Sequence, residues 1–528
     1  MVRRLFKRAT YFSAAELSVL SFIILSLIGG ALLWYTERNR VVHSFVPIHR
    51  QVQIVPVNPS KDLTIPSGVE THTALKPVQY KGETFVDMWF NAISAVCVTG
   101  LTTSDFSQFT LGGQIITLLL IQIGGLGVIV FTSFIAFAVF KGLSERASVR
   151  KVLASVMDTE HQDVLDMLKY VFFYTFLFEG AGILIMGFHL QTLADPSVLK
   201  GINPWWWATF HSISAFNNAG FSLMQDNLMS FVTDPVINIT IALLIILGGL
   251  GYPVLIAIHM WMRTMAKKNG LTQLKLQHNF SGVASPVQVR IALYNTIGLL
   301  LAGTVIPLIV ESGSAWASKY TLSQNILIHF FQSASTRTAG FNTIDVGALH
   351  VTTLFLYMLL MFIGANPAGT AGGIKIPTVA VLYGYIKDWF KKPGEPVMLF
   401  GRRISKFAVS HAIRLFFFST LFIAAVTFAI CYIERDYLIT PDPLFNFTKV
   451  LFEIFSAFGT VGLTMGYTGG VTSFSGILSP ASKVLLIIVM LFGRVGALTI
   501  LAALPWKRRH ADAPLTEDFP DSYKIQIG

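Results

Sequence analysis

Apolar spans and short half-apolar segments alternate along this chain in a pattern that recurs four times. Each copy is a span long enough for a bilayer core, which needs roughly 20 helical residues, then a segment too short to cross, a glycine-centred turn and a second span. The first copy reads Ala14 to Tyr35, Phe85 to Val96 and Gly112 to Phe140. The second reads Met167 to Leu190, Trp206 to Phe216 and Pro235 to Trp261. The third reads Val289 to Val310, Ile326 to Ser335 and a span from Val351. The fourth reads His411 to Ile433, Phe447 to Phe458 and Ala481 to Leu504. The pattern predicts an all-α polytopic membrane protein, with four pseudo-symmetric units of helix, pore helix, loop and helix around a central pore.

The four turns are Val98-Thr99-Gly100-Leu101, Asn218-Ala219-Gly220-Phe221, Thr338-Ala339-Gly340-Phe341 and Thr460-Val461-Gly462-Leu463. Their glycines lie 120, 120 and 122 residues apart. Non-helical backbone at membrane depth is tolerated only against protein or a wet cavity. A half-helix that stops there directs its carbonyl end, which favours cations, at the turn. Glycine permits the required dihedrals and keeps the centre narrow. Carbonyl oxygens aimed at an axis replace the water shell of an ion, and hydroxyls of Thr99, Thr102, Thr338, Thr460 and Thr464 are further candidate oxygens. The turns are therefore the candidate selectivity filter, with ion permeation as the leading function. Helix packing is the competing role for these glycines.

The repeat divides the chain into a first unit, 1–150, with a long external loop at 36–80; a second, 151–275; a third, 276–405; a fourth, 406–505; and a cytoplasmic tail, 506–528. The start, Met1 to Tyr35, also has the pattern of a signal peptide. Ser18 to Trp34 supplies the crossing that the repeat needs, which favours a retained helix.

Composition agrees with a membrane chain: 53% of 528 residues are hydrophobic and 13% charged, against about 25% charged in soluble domains. The net charge of +11 does not point to nucleic acid, because the basic residues cluster at Arg3 to Arg8, Lys141 to Lys151, Arg263 to Lys268, Lys387 to Lys406 and Lys507 to Arg509. All lie before, between or after units, which places both termini in the cytoplasm. Cys97 and Cys431 suggest no disulfide framework. His211 and His329 stand singly and suggest no metal site, and no phosphate-binding loop or other enzyme signature occurs. Trp205-Trp206-Trp207 fits an interfacial aromatic belt.

The glycine runs Ile123 to Gly127 and Leu247 to Pro253 read as close helix packing. The third unit departs from them. Its closing span contains Gly364-Ala365-Asn366-Pro367-Ala368-Gly369-Thr370-Ala371-Gly372-Gly373-Ile374-Lys375, which cannot continue a regular helix. A break confined to this unit is a candidate gate across the ion route, with Lys375 as a positive barrier and a static kink as the alternative. Arg494 lies inside the last span, and an intramembrane charge usually faces the bundle interior or a wet cavity. With units three and four side by side, it is placed to donate to carbonyls of the broken segment.

The four turns, the run Gly364 to Lys375 and Gly493-Arg494-Val495-Gly496 resemble the TrkH/TrkG/KtrB/HKT superfamily of cation transporters, over about residues 12 to 505. Loop 36–80 is longer than in the bacterial Ktr form, and Ile525-Gln526-Ile527-Gly528 looks like a KtrB-type ending. The resemblance implies potassium uptake, with K+ bound at four filter glycines and Na+ as a possible activator. It implies that 364–375 is an intramembrane gating loop met by Arg494. It further implies a homodimer in a plasma membrane, of the bacterial inner-membrane kind, on a cytoplasmic KtrA/TrkA-like ring that holds the nucleotide. A sodium-permeable relative, the potassium-binding subunit of an ATP-driven pump, and a non-transporting receptor are the alternatives.

Overall fold

The computed structural model describes residues 14–38, 41–44, 78–81, 84–140, 163–193, 195–268, 286–387, 397–436, 446–466 and 473–496. Most of loop 36–80, the basic stretch after residue 140, the tail 506–528 and the ending Ile525 to Gly528 lie outside them.

The described chain is mostly helical and repeats the order long helix, short helix, closing helix four times, with the closing helix divided in two in units two and three. Unit one has α1 (Ala14–Glu37), α2 (Phe85–Val96) and α3 (Leu111–Phe140). Unit two has α4 (Asp163–Gln191), α5 (Pro204–Phe216), α6 (Pro235–Leu250) and α7 (Tyr252–Lys268). Unit three has α8 (Pro286–Val310), α9 (Leu322–Ser335), α10 (Val351–Phe362) and α11 (Ile376–Lys387). Unit four has α12 (Lys406–Ile433), α13 (Phe447–Gly459) and α14 (Pro480–Val495). Strands β1 (Val41–Ser44) and β2 (Val78–Lys81) pair antiparallel, with Val41 opposite Lys81, at the base of the long loop.

By length and composition, parts of α1, α4, α8 and α12 are long and apolar enough to cross a membrane, and the bent pair α6 and α7 qualifies as a fifth span. Their outer faces carry exposed Ile28, Phe176, Leu301 and Phe428, as expected of helices solvated by lipid rather than water.

The short helices α2, α5, α9 and α13 occupy the interior. Met88, Phe90, Trp207, Phe210, Phe331 and Phe452 on them are fully buried. Each unit's closing helix packs on the short helix of the next unit: α3 on α5, α6 on α9, α10 on α13, and α14 back on α2. The order is therefore a closed ring, one to two to three to four to one. An ion pair between Lys483 of α14 and Asp87 of α2, 2.7 Å, lies at the closure.

The units share a fastening between their opening and closing helices. The first residue of each closing helix exposes unpaired backbone N–H groups and the positive end of a dipole. Glu37 accepts from the Thr110 amide at 3.2 Å, Glu311 from the His350 amide at 2.9 Å, and Glu434 from the Ser479 amide at 2.8 Å. Each carboxylate ends its unit's opening helix and thereby closes that helix onto the third one. Unit two inverts the chemistry: Asp234 caps α6, and His189 of α4 meets that carboxylate at 2.7 Å.

Two sequence expectations need correction. The helix break is not confined to unit three. Gly127 inside α3 has φ 84°, Gly251 between α6 and α7 has φ 83°, and Gly496 after α14 has φ 90°. The pair α6 and α7 is bent by 100°. The runs read as packing glycines thus also end the helices, because only glycine takes these positive φ values cheaply. The tryptophan triplet is not a simple interfacial belt either. Trp207 is fully buried and stacks on His211 with ring centroids 3.8 Å apart. Trp206 donates to Gln114 of unit one at 2.8 Å, and only Trp205 and Trp206 retain exposure.

Candidate functional site

Each short helix ends directly before its turn, and the four turns share one backbone form. The residue two before the glycine is left-handed, with φ 50° at Val98, 58° at Asn218, 75° at Thr338 and 47° at Thr460. The glycine follows at φ 94°, 70°, 80° and 93° for Gly100, Gly220, Gly340 and Gly462. Left-handed backbone costs a non-glycine residue about 1–2 kcal/mol. Four repetitions at aligned positions mean that the surrounding packing enforces this conformation.

The turns meet in a ring. A Cβ added to Gly100 would lie 2.5 Å from the Ala219 carbonyl oxygen, and one added to Gly220 would lie 2.5 Å from that of Ala339. Gly340 faces the Val461 carbonyl oxygen still more closely, and Gly462 faces that of Thr99, which completes the circuit. Every glycine therefore abuts the carbonyl of the next unit's turn. The flanking residues Val98, Thr99, Leu101, Asn218, Ala219, Phe221, Thr338, Ala339, Phe341, Thr460, Val461 and Leu463 are all buried.

A serine near the end of each short helix holds its turn, a feature the sequence reading passed over. The hydroxyl oxygen of Ser94 accepts from the Gly100 amide at 3.0 Å, and that of Ser456 from the Gly462 amide at 3.0 Å. Ser214 and Ser335 donate instead to the carbonyls of Phe221 and Phe341, at 2.9 and 2.5 Å. The signal was present in the chain: these serines precede their glycines by six, six, five and six positions in unit order one, four, three and two, at Ser94, Ser456, Ser335 and Ser214. Of the threonine hydroxyls, those of Thr99 and Thr460 are buried without a hydrogen-bond partner. Thr464 is committed to bracing, since it accepts from the amides of Gly466 and Phe474 at 3.1 and 2.9 Å. The Asn218 amide, turned to suit its neighbours, donates to the carbonyls of Ala215 and Ile245 at 3.1 and 3.2 Å.

Below the ring, residues 364–373 form a loop closed at its neck. Ile363 and Ile374 bridge, and the Gly364 amide donates to the Ile374 carbonyl at 2.9 Å. The loop bonds to both neighbours of unit three. Toward unit two, the amides of Asn366 and Thr370 donate to the carbonyls of Gly249 and Gly248 at 3.1 and 3.2 Å, and the Tyr252 amide donates to the Ala368 carbonyl at 3.1 Å. These carbonyls are free because α6 ends there. Toward unit four, the Gly373 amide donates to the Gly493 carbonyl at 3.1 Å. Gly372 packs against the Thr460 hydroxyl so closely that no side chain fits, which joins the loop to the fourth turn.

Arg494 fixes the arrangement from the side. Its Nη1 donates to the Thr370 carbonyl, and its Nη2 donates to the Gly124 carbonyl of unit one at 2.6 Å. Lys375 folds back and donates to the Ala371 carbonyl at 2.6 Å. Ala365, Asn366, Thr370 and Ala371 are buried, whereas Pro367, Ala368 and Gly369 are half-buried. Among the described residues no group of three or more His, Cys, Asp or Glu side chains gathers as a metal site.

The ring of backbone turns adjoins the loop at 364–373 through Gly372 and Thr460. The profile of the TrkH family, described as a cation transport protein, matches residues 16–505. The chain belongs to this family. It is 33% identical over 424 residues to the Ktr system potassium uptake protein B of Vibrio alginolyticus, covering 79% of this chain and 84% of that one. It is 34% identical over 421 residues to the protein of the same description from Bacillus subtilis, at 79% and 85% coverage. The potassium/sodium uptake protein NtpJ of Enterococcus hirae is 32% identical over 434 residues, at 81% and 87%. The crystal structure of the potassium transporter TrkH from Vibrio parahaemolyticus superposes with a TM-score of 0.57 over 80% of this chain and 79% of that one, at 18% identity. This TrkH-family chain therefore shares the helical fold of a membrane transporter.

Proposed function

We propose that this chain is the membrane subunit of a potassium uptake system, passing K+ through the ring at Gly100, Gly220, Gly340 and Gly462 in a channel-like manner. The observation that carries the reading is the circuit of glycines against neighbouring carbonyls. It leaves backbone oxygens as the principal groups available at the narrowest point, and such oxygens replace the water of a dehydrated cation. Four short helices end at the ring with their carbonyl ends, which adds a negative potential there.

The loop 364–373, with Arg494 and Lys375, is the gate in this reading. Its four backbone hydrogen bonds to units two and four, at about 0.5–1.5 kcal/mol net each, make displacement cost a few kcal/mol. A cytoplasmic ligand-binding ring supplies differential binding energy of that order. The Ktr relatives are named as parts of a system, which supports a partner subunit; in this reading the partner is a KtrA/TrkA-like nucleotide-binding ring, and the membrane subunit is a homodimer in a bacterial plasma membrane with both termini cytoplasmic. Na+ is the candidate activator.

The name of NtpJ, a potassium/sodium uptake protein, favours a second reading in which the ring also passes sodium. Purified protein in proteoliposomes, with and without the cytoplasmic partner, decides between them. Potassium uptake that exceeds sodium uptake supports the first, comparable uptake of both supports the second, and no cation flux with partner present rejects both.

A further inference from the structure

Every short helix carries one buried polar side chain about two turns before its glycine, and the four differ: Asn91, His211, Gln332 and Glu453. The first three reach the chain two or three residues past their glycine, and Glu453 reaches Ser475, in the segment that leads into α14. Asn91 Oδ1 accepts from the Thr103 amide at 3.0 Å, and His211 Nε2 lies 2.9 Å from the Ser222 hydroxyl. Gln332 Nε2 donates to the Thr343 hydroxyl at 3.4 Å. Glu453 Oε1 accepts from the Ser475 amide at 2.8 Å and also from the Ser475 hydroxyl.

The bracing role needs no charge, since an amide or an imidazole performs it in the other three units. Glu453 is 1% exposed, and its second oxygen, Oε2, is buried without a hydrogen-bond partner. No ion pair among the described residues includes it. In its ionised form a buried carboxylate with an unpaired oxygen is unfavourable unless positive charge lies nearby.

Its surroundings lead to the ring. Ser475 is the last of three successive residues that grip two adjacent turns. The Ser473 hydroxyl oxygen accepts from the Thr102 amide of unit one at 2.9 Å, and the Phe474 amide donates to Thr464 of unit four at 2.9 Å. The carboxylate thus anchors the junction where the ring closes.

We infer that Glu453 is a specificity-determining residue: a negative charge behind the junction of units four and one whose countercharge is the cation held in the ring. The inference rests on the reading of the turns as the selective constriction. Glu453 acts through position and field and does not touch the ion.

Three variants test it in proteoliposomes, with potassium uptake measured over a concentration range and against sodium as competitor. Glu453→Gln keeps an acceptor for Ser475 and removes the charge. Ser475→Ala removes the brace and keeps the charge. Glu453→Asp keeps the charge on a shorter reach. An interaction across about 10 Å at an effective dielectric near 20 predicts that Glu453→Gln raises the KM for potassium about tenfold and lowers the preference over sodium. Ser475→Ala then shifts both by less, and Glu453→Asp retains the preference even if its fold is weakened. Wild-type KM and preference in Glu453→Gln overturn the inference, as do equal shifts in Glu453→Gln and Ser475→Ala or a lost preference in a folded Glu453→Asp. Failure of the underlying reading looks different: wild-type protein itself shows no discrimination between potassium and sodium.

Discussion

Arg494 donates to the Gly124 carbonyl at 2.6 Å and, from its other terminal nitrogen, to the Thr370 carbonyl. One guanidinium thus ties α14 to unit one and to the loop of unit three. Its two terminal donors reach two different units, and a lysine in its place has a single nitrogen with which to serve both. Arg494→Ala is expected to raise flux in the absence of the activating partner and to reduce the response to that partner. Arg494→Lys should fall between. Uptake by reconstituted protein checks this, and unchanged flux and gating in Arg494→Ala sink the proposed role.

Gly220→Ala and Gly340→Ala should stop ion passage. A methyl group on Gly220 falls 2.5 Å from the Ala339 carbonyl oxygen, and the positive φ adds about 1–3 kcal/mol of strain. The displaced carbonyl then leaves its place in the ring. Flux below a tenth of wild type, with an unchanged size-exclusion profile, is the expected outcome. Gly100→Ser, compared for potassium, rubidium and sodium, tests the same ring for discrimination.

The serine braces predict a milder phenotype. Ser94→Ala leaves the Gly100 amide without its acceptor, and Ser456→Ala does so for Gly462. The loss of one such bond is worth about 1 kcal/mol. Flux should persist, with a several-fold reduction in preference for potassium over sodium. The corresponding Ser→Cys variants, whose sulfur accepts only weakly, should resemble alanine.

Glu434→Ala addresses stability rather than transport. It removes the acceptor of the half-buried Ser479 amide at the start of α14, a loss of about 1 kcal/mol near a helix N-terminus. Thermal unfolding in detergent should shift down by several degrees, while flux per folded molecule stays close to wild type.

The sequence made the long spans and the turns visible for a physical reason. Lipid-facing helices need unbroken apolar runs, and a turn at membrane depth needs glycine. The Asn366-Pro367 pair among small residues likewise marks a break directly. The bends at Gly127, Gly251 and Gly496 were hidden, because apolar residues continue on both sides and glycine between membrane helices serves close packing equally well. The serine braces were hidden for another reason. Serine at a helix end is commonplace, and its partner becomes evident only once the turn is folded back. Trp207 was misread because three adjacent tryptophans suggest one role, whereas helical periodicity sends them to different faces.

The glycine circuit has a consequence for how such a protein can change over time. A quarter of the ring has no private geometry: the space occupied by one turn is bounded by the backbone of the next, and the fourth returns to the first. A substitution in one copy alters the room available to its neighbour. Combined changes in adjacent turns should therefore depart from the sum of the single ones, and new ion preferences should be reached by paired steps rather than by retuning a single repeat.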